Sequence, residues 1–98
     1  MKSKHEYIKQ LEQLSPTIKN EFGVRSLCIF GSVARDEQKE GSDIDICVDM
    51  EPRMYLVIRL KRFLESVLGN SVDIVRLRKS LNPYLKSEID RDAIYVIR

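Results

Sequence analysis

Two aspartates separated by one isoleucine, Asp43 and Asp45, interrupt a stretch that otherwise alternates like a half-buried strand. Residues two apart on a strand point to the same face, about 7 Å from each other at a rise of ~3.3 Å per residue. Two like charges at this spacing repel each other and lose hydration unless a cation compensates them. Magnesium prefers carboxylate oxygens, completed by water and phosphate oxygens. The pair therefore predicts a metal site on one strand face.

A third carboxylate, Asp73, lies within the apolar stretch "SVDIVRL". The alternation of this stretch places Val72 and Ile74 on one strand face and Asp73 on the other. If this strand lies beside the strand of Asp45, the three carboxylates can hold two ions about 4 Å apart, an arrangement used for displacement at phosphorus. Asp73 is thus the expected third member of the site.

Gly31 and Ser32 directly follow an apolar run that ends at Phe30. A glycine there allows close approach of a ligand to the backbone, and amides that open a short helix point at an anion. Arg35, one turn further, is placed either to contact the same phosphates or to pair with a carboxylate. Each feature alone is more often an ordinary turn, strand end or surface ion pair. Together they favour binding of a nucleoside triphosphate.

The composition is that of a globular domain, with 43% hydrophobic and 33% charged residues among 98. This length predicts one domain over residues 1–98. A net charge of only +2 argues against a general nucleic-acid coat, so direct nucleic-acid binding is not expected. Cys28 and Cys47 lie in apolar runs without metal-ligand spacing and are expected to be buried free thiols. We expect neither an export signal nor a membrane span, and hence a cytoplasmic protein.

The apolar spacing predicts the element order α-α-β-(short α)-β-α-β-α-β. Ser15 and Pro16 suggest that the first helical region is either two short helices or one kinked helix, ended by Gly23. Later helices are expected to begin near Pro52 and at Asn82-Pro83. The fold class is therefore α/β, with a mixed sheet of about four strands packed with helices and the last strand as a candidate edge strand. The expected strands are "VRSLCIF", Asp43 to Asp49, "SVDIVRL" and "AIYVI".

Gly31-Ser32, ten further residues and then Asp43-Ile44-Asp45 resemble the signature of the DNA polymerase beta-type nucleotidyltransferase superfamily. More narrowly, "FGSVAR", "SDIDICV" and the later "VDIV" resemble the minimal nucleotidyltransferase (MNT) family, whose members are antitoxin partners of HEPN-domain toxins. The resemblance covers about residues 22 to 77. Asp36 departs from it, because many relatives have glycine at this position.

The resemblance implies roles for individual residues. Asp43, Asp45 and Asp73 match the catalytic, metal-binding carboxylates, and the third of them helps to activate the attacking hydroxyl. Gly31, Ser32 and Arg35 fall with the nucleotide-binding residues, as does Ser42, which is expected to position the strand entrance. Two magnesium ions and ATP are the implied cofactors and substrate.

The implied function is transfer of AMP from ATP to a protein hydroxyl, with a tyrosine of a cognate HEPN toxin as the expected acceptor. The partners are then the toxin and a nucleoside triphosphate. Two alternatives stay open: a non-catalytic antitoxin that neutralises its partner by stoichiometric binding, and a transferase for a small-molecule acceptor, since one fold serves many acceptors.

Overall fold

The computed structural model describes residues 1–98 and contains four helices and four strands. None of the helices combines the length and apolar character needed to cross a membrane. The elements alternate as the sequence predicts, apart from the first helical region. In chain order they are α1 (Lys4–Phe22), β1 (Ser26–Phe30), α2 (Gly31–Ala34), β2 (Ile44–Asp49), α3 (Met54–Leu68), β3 (Val72–Arg76), α4 (Pro83–Asp92) and β4 (Ile94–Ile97).

Helix α1 is one continuous helix, so the alternative of two short helices is wrong. It begins with a capping box in which Ser3 and Glu6 satisfy each other's backbone amides, and it ends at Gly23 with a φ of 66°. Pro16 is inside the helix but on its exposed side, where water can reach the carbonyl that lacks an amide partner. Ser15 is therefore a mid-helix residue and not a cap.

The sheet has the strand order β3-β2-β1-β4, with β3 and β4 at its edges. Strand β1 pairs antiparallel with both β2 and β4, whereas β2 pairs parallel with β3. The predicted mixed sheet and the edge position of the last strand are both confirmed. Because β2 and β3 run in the same direction, their amino-terminal ends meet at one corner of the sheet.

Helices α1 and α3 cover one face of the sheet and α4 packs on the other. The larger core lies on the first face, and side chains such as Ile44, Ile46 and Leu60 are fully buried there. The α4 face has a smaller apolar cluster that includes Cys28 and Cys47. These two cysteines are register partners, free and buried, as predicted, and their mutual hydrogen bond and burial raise the pKa of the Cys28 thiol.

Candidate active site

The predicted carboxylates come together at the corner where β2 and β3 begin. Asp45 and Asp73 are direct register partners of the parallel pair, and Asp43 immediately precedes β2. Alternation buries Ile44 and Ile46 in the core and turns Asp45 to the α4 face of the sheet. The prediction that the strand of Asp73 lies beside that of Asp45 is confirmed.

The carboxyl group of Asp45 is in an environment that disfavours its charge. Burial raises its pKa from 3.8 to about 6, and the neighbouring charges of Asp73, Asp43 and Glu88 act in the same direction. Arg35 opposes this increase, but it is the weakest of the influences. The corner therefore carries an excess of negative charge that a bound cation would neutralise.

Gly31 packs directly against the Asp45 carboxyl group. Its φ is 73°, and a Cβ atom added to it would overlap Oδ2 of Asp45 and lie 3.1 Å from Cγ. Two reasons favour glycine here: its backbone conformation is strained for other residues, and a side chain would force the Asp45 carboxyl group to move. This contact places the first turn of α2, including Ser32, next to the carboxylates.

Arg35 is held by ion pairs at the end of α2. Its Nη1 atom lies 2.6 Å from Oδ2 of Asp92 in α4, and its Nε atom lies 3.4 Å from Oε2 of Glu37. The Asp92 side chain is only 4% exposed and also contacts Arg91. Arg91 and then Arg35 hold the pKa of Asp92 below its ordinary value, despite the opposing effect of burial. Of the two roles expected for Arg35, pairing with a carboxylate is the one present in this structure.

Hydrogen bonds within the loop between α2 and β2, and one from Asn70 outside it, hold Ser42 in place. Ser42 accepts a hydrogen bond from the amide of Lys39 at 3.0 Å, and its carbonyl accepts one from Asn70 at 2.9 Å. These bonds fix the chain just before β2. The nucleotide contact predicted for Ser42 stays a prediction.

Asp36 has a φ of 57°, the left-handed region that glycine adopts at little cost. This conformation explains why glycine suits the position. The Asp36 carboxylate accepts hydrogen bonds of 3.3 Å from the Lys4 amide and from Gln38, contacts that glycine would lack. The departure from the family pattern thus keeps the expected turn and adds a link to the start of α1.

Two acidic residues near the site, Glu88 and Asp92, were not predicted as functional. Both are on α4, at helical spacing from Leu85 and next to the buried Ile89 on the side that faces the sheet. The helical period of 3.6 residues places these carboxylates on the same side of α4 as its apolar residues, so their position facing the sheet could have been read from the sequence. It gained meaning only when the fold brought α4 next to α2 and β1.

The donor set fits a hard divalent cation, although no three acidic, histidine or cysteine side chains are already gathered around a common point. Asp45 is near the like charges of Asp73 and Asp43, so the oxygen atoms available at this corner are those of carboxylates. Magnesium commonly binds through one or two carboxylates and takes its other ligands from water and phosphate. The corner is suited to a metal-phosphate complex more than to a bare ion.

Carboxylates on adjacent strands beside a glycine turn are suited to metal-assisted displacement at a phosphorus atom, the chemistry of nucleotidyl transfer. The family model described as "Polymerase beta, Nucleotidyltransferase" matches residues 12–98. The chain therefore belongs to this nucleotidyltransferase family, and the predicted family and enzyme class are confirmed.

Sequence and structure comparisons agree with this assignment. The protein adenylyltransferase MntA of Thermococcus cleftensis is 41% identical over 81 residues, which cover 81% of each chain. A structure provisionally described as a minimal nucleotidyltransferase is 36% identical with a TM-score of 0.73, covering 91% of this chain and 92% of that one. A complex of a tri-AMPylated HEPN toxin of Shewanella oneidensis with its MNT antitoxin contains a chain of the same fold. Its TM-score is 0.65 at 20% identity, with 91% of this chain and 71% of that chain covered.

Proposed function

We propose that this nucleotidyltransferase moves AMP from ATP to a tyrosine hydroxyl of a cognate HEPN toxin and so acts as its antitoxin. The observation that carries the proposal is the direct register of Asp45 with Asp73, with Gly31 packed against Asp45. The name of the MntA relative and the description of the AMP-modified toxin complex support a protein acceptor.

In this reaction the acceptor oxygen forms a bond to the α-phosphorus while the bond from phosphorus to the pyrophosphate oxygen breaks. Asp73 is exposed at the strand edge and accepts the proton of the attacking hydroxyl. The first amides of α2, at Gly31 and Ser32, orient the triphosphate beside the carboxylates. Positioning and charge compensation supply most of the rate in reactions of this kind.

Asp43 and Asp45 would hold magnesium in the proposed reaction, with Asp73 as a further ligand. The metal supplies charge neutralisation for the triphosphate and for the leaving pyrophosphate. This assignment fits the raised pKa of Asp45, because a carboxyl group crowded by other acids binds a cation at the expense of a proton.

The direct test uses ATP labelled in its α-phosphate, magnesium and a HEPN-domain protein offered as acceptor. We expect labelled AMP on the HEPN protein, with the label mapped to tyrosine by mass spectrometry and abolished by chelation of the metal. No label on any protein would contradict the proposal. Label on an added aminoglycoside, with none on protein, would show a small-molecule transferase instead.

The alternative of a stoichiometric antitoxin is separated by cell protection. We expect the Asp43→Asn, Asp45→Asn double variant to lose protection against the toxin while still folding. If this variant protects cells as well as the native protein, catalysis is dispensable and binding alone explains neutralisation.

The ion pair between Asp92 and Arg35 predicts an effect on ATP binding. Replacing Asp92 with asparagine should raise the KM for ATP about fivefold with little change in kcat, because Arg35 must then be immobilised when the triphosphate binds. Asp90→Asn is the matched control, since Asp90 is on the same helix and pairs only with exposed Lys86. A lower KM for Asp92→Asn would show that Asp92 competes with phosphate for Arg35.

A further inference from the structure

An apolar groove of about 450 Å³ lies outside the carboxylate corner, around the edge strand β3. Its walls come from the start of α3, from β3 and from the start of α4. Its apolar side chains come from both faces of the sheet edge: Val57 and Ile74 pack against the larger core, and Val75, Leu81 and Leu85 belong with the smaller cluster. At its rim, the Met54 side chain is 76% exposed. A concave, mostly apolar cleft of this size with a few polar groups is a common shape for a binding site.

The charged residues that line the groove are both basic. Arg76 and Arg78 line it, and no aspartate or glutamate does. Neither arginine forms an ion pair, since the ion pairs of the chain involve the amino terminus and four other cations. Two unpaired guanidinium groups beside apolar side chains are complementary to an apolar segment with carboxylates next to it.

The groove leads to the proposed site of transfer. Val75 lines it and is two residues after Asp73 on the same face of β3, about 7 Å away at the usual strand rise. Asp73 is itself exposed. A chain segment seated in the groove would therefore bring a neighbouring side chain to the carboxylate proposed to receive the proton of the attacking hydroxyl.

We propose that this groove docks the acceptor protein through an apolar segment flanked by acidic residues, with the modified hydroxyl next to that segment. The inference rests on the proposed function for its link to transfer. The docking itself depends only on the groove and its arginines.

The test uses two short fluorescein-labelled peptides that share one tyrosine and a helical leucine stripe, one with glutamates at the other positions and one with lysines. Binding is measured by fluorescence anisotropy without ATP. The groove variant is Arg76→Glu with Arg78→Glu, and Arg78→Glu alone covers the case in which the double variant does not fold. The matched control is Lys61→Glu with Arg62→Glu, which makes the same change in net charge on the exposed side of α3.

We expect the glutamate peptide to bind the native protein and the control alike and to bind the groove variant about tenfold more weakly, with the lysine peptide showing the reverse preference. Met54→Gln should weaken both by removing apolar contact. Equal weakening in the groove variant and the control would mean that only net charge matters and would overturn the proposal. The proposal would also be overturned if the glutamate peptide did not bind at all. It would be overturned as well if a labelled oligonucleotide, and neither peptide, bound in a way that depends on the arginines.

Peptide binding and AMP transfer fail independently in this design. The Asp43→Asn, Asp45→Asn variant should bind the glutamate peptide as the native protein does. If transfer is never found but the peptide still depends on the arginines, the proposed reaction is wrong and the groove is a docking site for another purpose. If transfer occurs and the groove variant transfers normally to the HEPN protein, the acceptor docks elsewhere.

Discussion

Replacing Asp45 with asparagine is expected to reduce AMP transfer by about three orders of magnitude without unfolding the protein. The amide retains the size of the carboxyl group against Gly31 but has no charge with which to hold a cation. The measurement is single-turnover transfer of label from ATP at saturating magnesium. Asp49→Asn is the control, because Asp49 is on the same strand face but pairs with Arg25 at the far end of β2. Transfer within tenfold of native would remove Asp45 from the chemistry.

The same substitution is expected to stabilise the metal-free protein at neutral pH. The pKa of Asp45 is raised from 3.8 to about 6, so folding favours its neutral form. Stability from this group is complete below about pH 4 and is lost as the pH rises through about 6. The shift corresponds to about 3 kcal/mol, reduced to about 1 kcal/mol because water reaches part of the carboxyl group. Urea unfolding in a chelating buffer should show this decline in the native protein and its absence in Asp45→Asn.

Loss of activity with a gain of stability would separate a functional carboxylate from a structural one. If Asp45 had a structural role, its substitution would lower the stability of the protein, since the groups that interact with it would lose a partner. If the asparagine variant is less stable than the native protein from about pH 6 upward, burial of the Asp45 charge beside other acidic side chains does not destabilise the fold.

The fold can be predicted from the sequence where the spacing of apolar residues agrees with the residues that begin and end helices. Gly23 and Gly69 end α1 and α3 in the left-handed conformation, and Asn82 caps α4, as the pattern indicates. Pro16 is the exception, because proline indicates a helix start only when no stronger start lies upstream. Ser3 and Glu6 provide that start, and packing of the buried face of α1 holds the helix through the proline.

The sequence predicts the site only to the extent that alternation along each strand shows which face a side chain is on. Alternation placed Asp43 and Asp45 on one face and Asp73 on its own strand face, but the parallel register that joins Asp45 to Asp73 depends on tertiary pairing. The ion pair of Arg35 with Asp92 joins residues far apart in the chain and could not be derived from local pattern. Charged side chains at a distance are the part of a site that sequence spacing constrains least.

Gly31→Ala is expected to abolish transfer and to destabilise the protein by about 2 to 4 kcal/mol, through the overlap of its Cβ with Asp45 and through backbone strain at a φ of 73°. The added methyl group must displace the Asp45 carboxylate or the first turn of α2. Either shift separates the carboxylates from the backbone amides proposed to orient the triphosphate. Gly41→Ala separates the two causes, because Gly41 has a φ of 86° and a methyl group added there would have nothing within 4 Å. Transfer and urea unfolding are measured for both variants.

The contact with Asp45 can be tested further by a second substitution in the Gly31→Ala variant. Adding Asp45→Ala removes the overlapping oxygen and leaves only the Asp45 Cβ, 3.3 Å from the new methyl group. We expect the double variant to recover most of the stability lost beyond that of Gly41→Ala, but none of the transfer activity, since the proposed metal ligand is then absent. Two results would contradict this account: Gly31→Ala loses no more stability than Gly41→Ala, or Asp45→Ala restores none of the stability lost in Gly31→Ala. In either case the close packing of the turn against the carboxylate does not restrict residue 31 to glycine. Recovery of stability without activity would show that glycine at this position makes room for the Asp45 carboxylate and is not a general requirement of the fold.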